Sequence, residues 1–203
     1  MDEIARRLAA RLFDTPIIEN HYRSAFVEAM IEPRLAVSGW RYTGGAWGGW
    51  DFEHQDSTRL EVKQSAAQQT WSAGRKLRTR PTFDIARRTG YYSQGASSWT
   101  PTPGRPAHLY VFAYHDGYGP EADHRDPQQW DFYVVPATVL PEGQKTISLA
   151  KIVGLIVANE AMPVGIDQLP ASVSRCRSEL RLGKPLSHTQ DKRVCGSGCS
   201  LLS

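Results

Sequence analysis

Cysteine is scarce in this sequence, and long hydrophobic runs are absent. The 203 residues include three cysteines, Cys176, Cys195 and Cys199. Three cysteines cannot build the disulfide framework that stabilises small secreted domains. Residues 1–13 have no continuous apolar core, so they lack the pattern of a secretory signal. We therefore expect a protein of the reducing cytoplasm.

The longest apolar run is too short to cross a membrane. It covers residues 147–158 and is interrupted by Lys151, whereas a transmembrane helix needs about 20 apolar residues. A disordered chain is excluded as well, because 40% of the residues are hydrophobic and 10% are aromatic. The length predicts a single domain over residues 1–183, with a core from about 19 to 160, followed by a flexible tail at 184–203.

The chain as a whole has no large excess of positive or negative charge, but one segment is strongly basic. The net charge is +3, which by itself excludes no partner. Residues 75–88 carry six basic side chains against the single Asp84: Arg75, Lys76, Arg78, Arg80, Arg87 and Arg88. Such a segment either neutralises phosphates or is a solvated basic loop. Aromatic residues suited to base stacking follow it at Tyr91, Tyr92 and Trp99.

The spacing of the apolar residues predicts a mixed α/β sandwich around one sheet. Helices are expected over residues 4–12, 19–32, 65–71 and 167–182, and strands over 51–54, 58–63, 108–115 and 130–136. In the second helix Tyr22, Phe26 and Met30 recur every four residues, and Pro33 is expected to end it. A glycine-rich turn at 44–49 precedes the first hairpin strand.

The hairpin has alternating apolar and charged side chains. Its apolar set is Trp50, Phe52, Leu60 and Val62. On the other face Asp51 and Glu61 can converge, and with the Val62 backbone carbonyl they offer oxygen ligands to Mg²⁺ or Mn²⁺. Lys63 shares the face of Glu61 and could activate a water or stabilise charge on a phosphate. The alternative is the solvent-exposed face of an ordinary hairpin.

The order of these motifs resembles the PD-(D/E)xK nuclease superfamily. A helix with a glutamate comes first, here Glu28 in "YRSAFVEAMIE". Gly39-Trp40 follows at the first strand, then Asp51-Phe52 after the turn, and then "RLEVKQSA". The resemblance extends from Glu19 to Trp71, and Trp50 stands where the superfamily's name has a proline.

The resemblance implies a restriction-endonuclease-like fold, in which helices flank a central mixed β-sheet with an αβββαβ-type core. It implies that Asp51 and Glu61 bind the metal and that Lys63 is the catalytic lysine. Glu28 would bind a metal-bound water or a second ion. Gln68, on the helix expected after Lys63, would face the nucleic-acid groove.

The implied activity is Mg²⁺-dependent phosphodiester hydrolysis by an endonuclease acting on duplex DNA, with Mn²⁺ as a substitute. The basic residues of segment 75–88 and Gln68 would contact the nucleic acid. Whether the protein forms a homodimer stays open. A homodimer would supply the two active sites that cutting both strands commonly requires. Two alternatives also stay open: a non-catalytic nucleic-acid-binding module on the same fold, and an enzyme acting on another substrate.

Other polar side chains have less specific patterns. Arg23 lies five residues before Glu28, and a surface or capping charge is expected there rather than a phosphate contact. Glu53 is expected to face solvent. His115 and His124 are expected in a solvated polar loop, because their spacing matches no metal-ligand pattern.

Overall fold

A five-stranded mixed β-sheet organises the chain in the computed structural model, which describes residues 2–44, 48–72, 78–92, 98–158 and 161–182. The α-helices are α1 (Glu3–Phe13), α2 (Asn20–Ala36), α3 (Leu149–Ala158) and α4 (Leu169–Arg181). The strands are β1 (Trp40–Tyr42), β2 (Phe52–His54), β3 (Arg59–Ala66), β4 (Thr82–Asp84), β5 (Tyr91–Tyr92), β6 (Trp99–Thr100), β7 (Leu109–His115), β8 (Trp130–Pro136) and β9 (Thr146–Ser148). The tail predicted at 184–203 lies outside the described residues.

The main sheet has the order β1-β2-β3-β7-β8, with a parallel pair at its centre. β3 and β7 run parallel from Leu60↔Leu109 to Ala66↔His115. The other neighbours in this sheet are antiparallel. Two small antiparallel sheets, β4–β9 and β5–β6, complete the strand pairing of the described residues.

Two hydrophobic cores lie on opposite faces of the sheet, because alternate residues of a strand point to opposite sides. Val111 of β7 belongs to the first core, with side chains from α2 and α4. Phe112 belongs to the second core, with side chains from α3, β4 and β9. All of β7 is therefore buried. Helices flank a central mixed sheet, as the sequence predicts, and α4 carries the core beyond residue 160.

Helix α2 is longer than predicted and buries a different face. It continues through Pro33 to Ala36, so the prediction that Pro33 ends it is wrong. Val27, Ile31 and Leu35 are fully buried, whereas the predicted face of Tyr22, Phe26 and Met30 is only half-buried. Packing of Ile31 and Leu35 on the sheet stabilises the last turn despite the proline.

The helix predicted over residues 65–71 is absent. β3 continues to Ala66, and only a 3₁₀ turn follows, at Thr70–Ser72. Ser65 and Ala66 pair with Tyr114 and His115 of β7, so a distant strand overrides the local helix propensity. The segment between β3 and β7 has no α-helix in its described part, which removes the second helix of the expected αβββαβ order.

The other predicted elements are present with small changes. The strands at 108–115 and 130–136 are β7 and β8, and the last helix is α4. The apolar run at 147–158 is divided between β9 and α3. Within the described ranges, no helix is long and apolar enough to span a bilayer.

A partly buried ion-pair cluster joins α4 to the β2–β3 hairpin. Oδ2 of Asp56 accepts hydrogen bonds from Nη1 of Arg177 at 2.8 Å and from Nη1 of Arg181 at 2.6 Å. Oδ1 of Asp56 lies 2.8 Å from Nδ1 of His54 and accepts from the Thr58 N–H at 3.1 Å. Burial opposes ionisation of Asp56, but the hydrogen bonds from Thr58 and His54 outweigh it and hold the carboxyl pKa well below its usual range.

Replacing Asp56 with Asn should destabilise the protein at neutral pH. A depressed pKa contributes stability above the unfolded value near 4, and this contribution is lost as the pH falls below it. We expect Asp56→Asn to lower the midpoint of thermal unfolding by about 2–6 °C at pH 7, and by less at pH 3. Asp167→Asn, which removes an exposed pair with Arg34, is the control and should change the midpoint little. An equal loss in both variants would contradict this assignment.

Candidate active site

Glu61 and Lys63 lie side by side on one face of β3. The flanking Leu60 and Val62 are buried in the first core, so the strand alternates as predicted. The side chains of Glu61 and Lys63 are 15% and 24% exposed, and Nζ of Lys63 donates a hydrogen bond to Oε1 of Glu61. Both charges are therefore held close together at the edge of a cavity.

Asp51 reaches these residues from the neighbouring strand. Its N–H donates to the Leu60 carbonyl at 3.0 Å, which continues the β2–β3 ladder by one bond. Its Oδ2 then accepts the Val62 N–H at 2.7 Å. The Val62 carbonyl points to the same side of β3 as its N–H, because both groups of a strand residue share one edge. Asp51, Glu61 and this carbonyl consequently come together.

The backbone bends sharply at Asp51. Phe52 packs in the first core and Trp50 packs in the second, so the prediction of one common apolar face is wrong for Trp50. The Asp51 carbonyl accepts the N–H groups of Thr43 and Gly44 at 2.8 and 3.0 Å. This bend aims the carboxylate at β3.

Glu28 approaches the cluster from α2. Its Oε2 accepts a hydrogen bond from the Tyr42 hydroxyl at 3.0 Å. Glu28, Asp51, Val62 and Lys63 line one cavity. The Glu28 and Asp51 carboxylates therefore face the same space, and Lys63 connects it to Glu61.

Burial and mutual repulsion raise the pKa of all three carboxyl groups. For Asp51, burial and then the Glu28 charge raise the pKa to about 7. For Glu61, burial and then the Asp51 charge also raise the pKa to about 7. Burial raises the pKa of Glu28. Burial opposes the charge of Lys63, but the neighbouring Glu61 outweighs it and raises the ammonium pKa. The cluster has an excess of negative charge that a cation or protons would relieve.

Two cavities of about 430 Å³ each meet at these side chains. Both are lined by Asp51, Lys63 and Asp84. The first extends towards Arg88 and Trp99, and the second towards Arg80 and Trp71. In sequence Asp84 is merely the lone acid of a basic segment. Its place on β4, paired with β9, brings it to the site, and no local motif could have revealed that.

The residues predicted to contact nucleic acid have different surroundings. Arg80 and Arg88 line the two cavities, whereas Arg75 and Lys76 lie outside the described residues. Arg78 is paired with Asp116, and Arg87 with Glu142. Gln68 accepts the Gly119 N–H at 2.7 Å and lines neither cavity, so the structure places it away from the predicted groove.

The donor set is chemically suited to a hard divalent cation. Two carboxylates and a backbone carbonyl, from Asp51, Glu61 and Val62, are the oxygen ligands that Mg²⁺ accepts together with water. As the side chains stand, no three His, Cys, Asp or Glu residues in the described ranges form a metal-binding group. Lys63 would have to release Glu61 for that carboxylate to bind a cation.

Three polar side chains expected to meet solvent are instead buried. Arg23 is 0% exposed and donates to the amide oxygens of Gln64, Gln69 and Asn20 at 2.6, 3.0 and 2.7 Å. His115 and His124 are also fully buried, with rings packed near Trp130. The expectations of a surface arginine and a solvated histidine loop are therefore wrong. Burial lowers the pKa of Arg23 to about 10.

Gln64 lies closer to the site than strand alternation suggests. Its amide is held between Arg23, Asn20 and Ser24, and it lines the second cavity beside Lys63. Glu53 differs, because it accepts a hydrogen bond from Nε1 of Trp50 at 3.1 Å and lines a separate cavity. Glu53 is therefore not part of the carboxylate cluster.

Compared with known proteins, the chain matches no family model, no curated protein and no solved structure. Its function has to be inferred from the geometry and charge of the site.

Neutralising Asp51 should stabilise the metal-free protein. A raised carboxyl pKa means that the folded state binds protons the unfolded chain releases, so stability falls as the pH rises from about 4 to 7. We expect Asp51→Asn, which keeps an oxygen for the Val62 N–H, to raise the unfolding midpoint in EDTA by about 2–5 °C at pH 8. At pH 5 the gain should be smaller. Asp116→Asn, an exposed acid, should follow the wild-type pH profile. A lower midpoint for Asp51→Asn at pH 8 would refute the repulsion.

Proposed function

We propose that this protein is a Mg²⁺-dependent nuclease that hydrolyses phosphodiester bonds in DNA. One observation carries the proposal: Asp51, Glu61 and Lys63 converge where two cavities meet, and Glu28 faces the same space. Buried carboxylates with raised pKa values are unfavourable beside a phosphate unless a cation lies between them. A paired lysine beside them adds a group that can act on a phosphate or a water.

The order of the elements supports a restriction-endonuclease-like fold. A helix with Glu28 precedes three antiparallel strands, and the third strand continues into a parallel pair with β7. The three strands carry Asp51 and the Glu61-x-Lys63 motif in the order that the resemblance implies. The described part of the segment between β3 and β7 has no α-helix, which is a departure from that fold; it contains short strands and a 3₁₀ turn instead.

The proposed chemistry divides the work among four side chains. Asp51 and Glu61, with the Val62 carbonyl, would hold Mg²⁺. Bound Mg²⁺ would lower the pKa of a water ligand and neutralise charge on the phosphate. Lys63, once released from Glu61, would orient the attacking water and stabilise the developing negative charge. Glu28, whose pKa is raised by burial, would hold a water and take up a proton.

Removing the Lys63 ammonium should abolish cleavage without unfolding the protein. We expect Lys63→Ala to reduce the rate of Mg²⁺-dependent plasmid nicking at least about 100-fold. Lys151→Ala, at an exposed lysine of α3 that lines neither cavity of the site, should nick as wild type does. Circular dichroism and a gel shift would establish that the Lys63→Ala variant folds and binds DNA.

The nicking and binding assays distinguish three classes of function. Nicking by Lys63→Ala at the wild-type rate would reject the catalytic assignment. A wild-type gel shift without metal-dependent nicking would favour a non-catalytic binding module. Failure to bind DNA or RNA at low salt would point to an enzyme with another substrate.

Mg²⁺ binding should depend on pH in a predictable direction. Protons compete with the cation for carboxyl groups whose pKa values are about 7. We therefore expect an excess of Mg²⁺ to raise the unfolding midpoint more at pH 8 than at pH 6. The shift should disappear in Asp51→Asn/Glu61→Gln and persist in Asp116→Asn. A shift that survives in the double variant would place the cation elsewhere.

A further inference from the structure

A third cavity adjoins the candidate active site across the glycine turn. It has a volume of about 360 Å³, and its polar lining comes from Arg41, Thr43, Glu53 and Arg59. Gly48 and Gly49 line both this cavity and the first cavity. An extended ligand in the first cavity can therefore continue into the third.

Two arginines give the third cavity a positive charge. The strand register pairs Arg41 with Glu53 and Glu53 with Arg59, so the three side chains share one face of the sheet. Glu53 bonds to Trp50, and neither arginine has a carboxylate partner among the described residues. One net positive charge remains, and both guanidinium groups are free to bind an anion.

Arg59 is held in place before any ligand binds. Its guanidinium carbon lies 3.9 Å from the centre of the Trp50 ring, and its Nε is buried with no hydrogen-bond partner. It precedes Glu61 by two residues on the same face of β3, or about 7 Å along the strand. A guanidinium fixed by stacking loses little freedom when it binds a phosphate.

The arginines predicted from composition differ in this respect. Three of them already have carboxylate partners: Arg78 with Asp116, Arg87 with Glu142, and Arg88 with Asp84. A phosphate would have to compete with these carboxylates. The third cavity offers two cations without such competition.

An aromatic ridge separates the first and third cavities. It consists of Tyr92, which lines the third cavity and is 38% exposed, and Trp99, which lines the first and is 44% exposed. Their ring centres are 5.2 Å apart in an edge-on contact. Gly90 admits the tryptophan, because a Cβ there would lie 2.6 Å from the Trp99 ring. Exposed rings beside a phosphate-binding groove are a stacking platform for bases.

We propose that Arg41 and Arg59 bind a phosphate of the substrate strand next to the scissile bond, and that an unpaired base stacks on the Tyr92–Trp99 ridge. This inference rests on the proposed nuclease function and names its substrate more narrowly. Bases inside a duplex have no free face for an aromatic ring. The strand crossing the ridge is therefore unpaired, either throughout or where a duplex has opened locally.

Salt-dependent binding tests the phosphate subsite. The probes are a fluorescein-labelled single-stranded 15-mer and a hairpin duplex of the same sequence, titrated in EDTA so that no cleavage occurs. In Arg41→Gln/Arg59→Gln, the slope of log K against log salt should fall by about 0.7 for each phosphate lost. Arg6→Gln/Arg34→Gln removes the same charge from exposed ion pairs and should keep the wild-type slope. The single variant Arg41→Gln is measured as well, because Arg41 lies on the exposed side of β1. It tests the subsite even if loss of Arg59 disturbs folding.

The aromatic ridge requires its own comparison. Tyr92→Ala/Trp99→Ala should weaken binding of the single-stranded probe about 5- to 100-fold and change binding of the hairpin much less. Equal weakening of both probes, or no weakening of either, in this variant would overturn the stacking of an unpaired base on the ridge.

The remaining outcomes separate this proposal from the nuclease assignment. An unchanged salt slope in the arginine variants, with wild-type cleavage, overturns the subsite alone. An arginine-dependent slope without any metal-dependent cleavage overturns the nuclease and retains the subsite. Binding of neither probe overturns both.

Discussion

The hydrogen bond from the Val62 N–H to the Asp51 carboxylate joins the fold to the site. The β2–β3 ladder ends at the bond between Asp51 and Leu60, and the next donor on that edge of β3 would have no partner. A carboxylate fills the position that a strand carbonyl would otherwise occupy. The Asp51 carboxylate thus completes the hydrogen bonding along this side of β3 and also lies next to Glu61. A change in the strand pairing would therefore change the site as well.

The cost of this arrangement is electrostatic, and the two cores offset it. Three partly buried carboxyl groups surround one lysine, with Asp84 close by. Repulsion of this kind survives only where packing elsewhere fixes the backbone. Here α2 and α4 support one face of the sheet and α3 supports the other. β3, in the parallel pair at the centre of the sheet, therefore carries Glu61 and Lys63 of this repulsive cluster.

Local patterns in the sequence predicted the parts of the fold that depend on near neighbours. Alternation around Leu60 and Val62 identified β3 and placed Glu61 and Lys63 on one face. The pattern failed where a distant partner decides the outcome. β7 extends β3 through Ala66 at the expense of a helix, and the polar residues Gln64, Gln69 and Asn20 accommodate Arg23 inside the protein. Asp84 reaches the site region through the pairing of β4 with β9, which no spacing encodes.

Trp50 and Phe52, the two neighbours of Asp51, are anchored in different cores. A shift of the Asp51 backbone therefore requires packing to loosen on both sides of the sheet, which raises the free energy of local opening there. The backbone of Glu61 is also fixed, because Leu60 and Val62 are buried, but its carboxylate is bonded to the side chain of Lys63 rather than to the backbone. Asp51 would therefore define the position of a bound cation. Glu61 would reach that cation by changing only the torsions of its side chain.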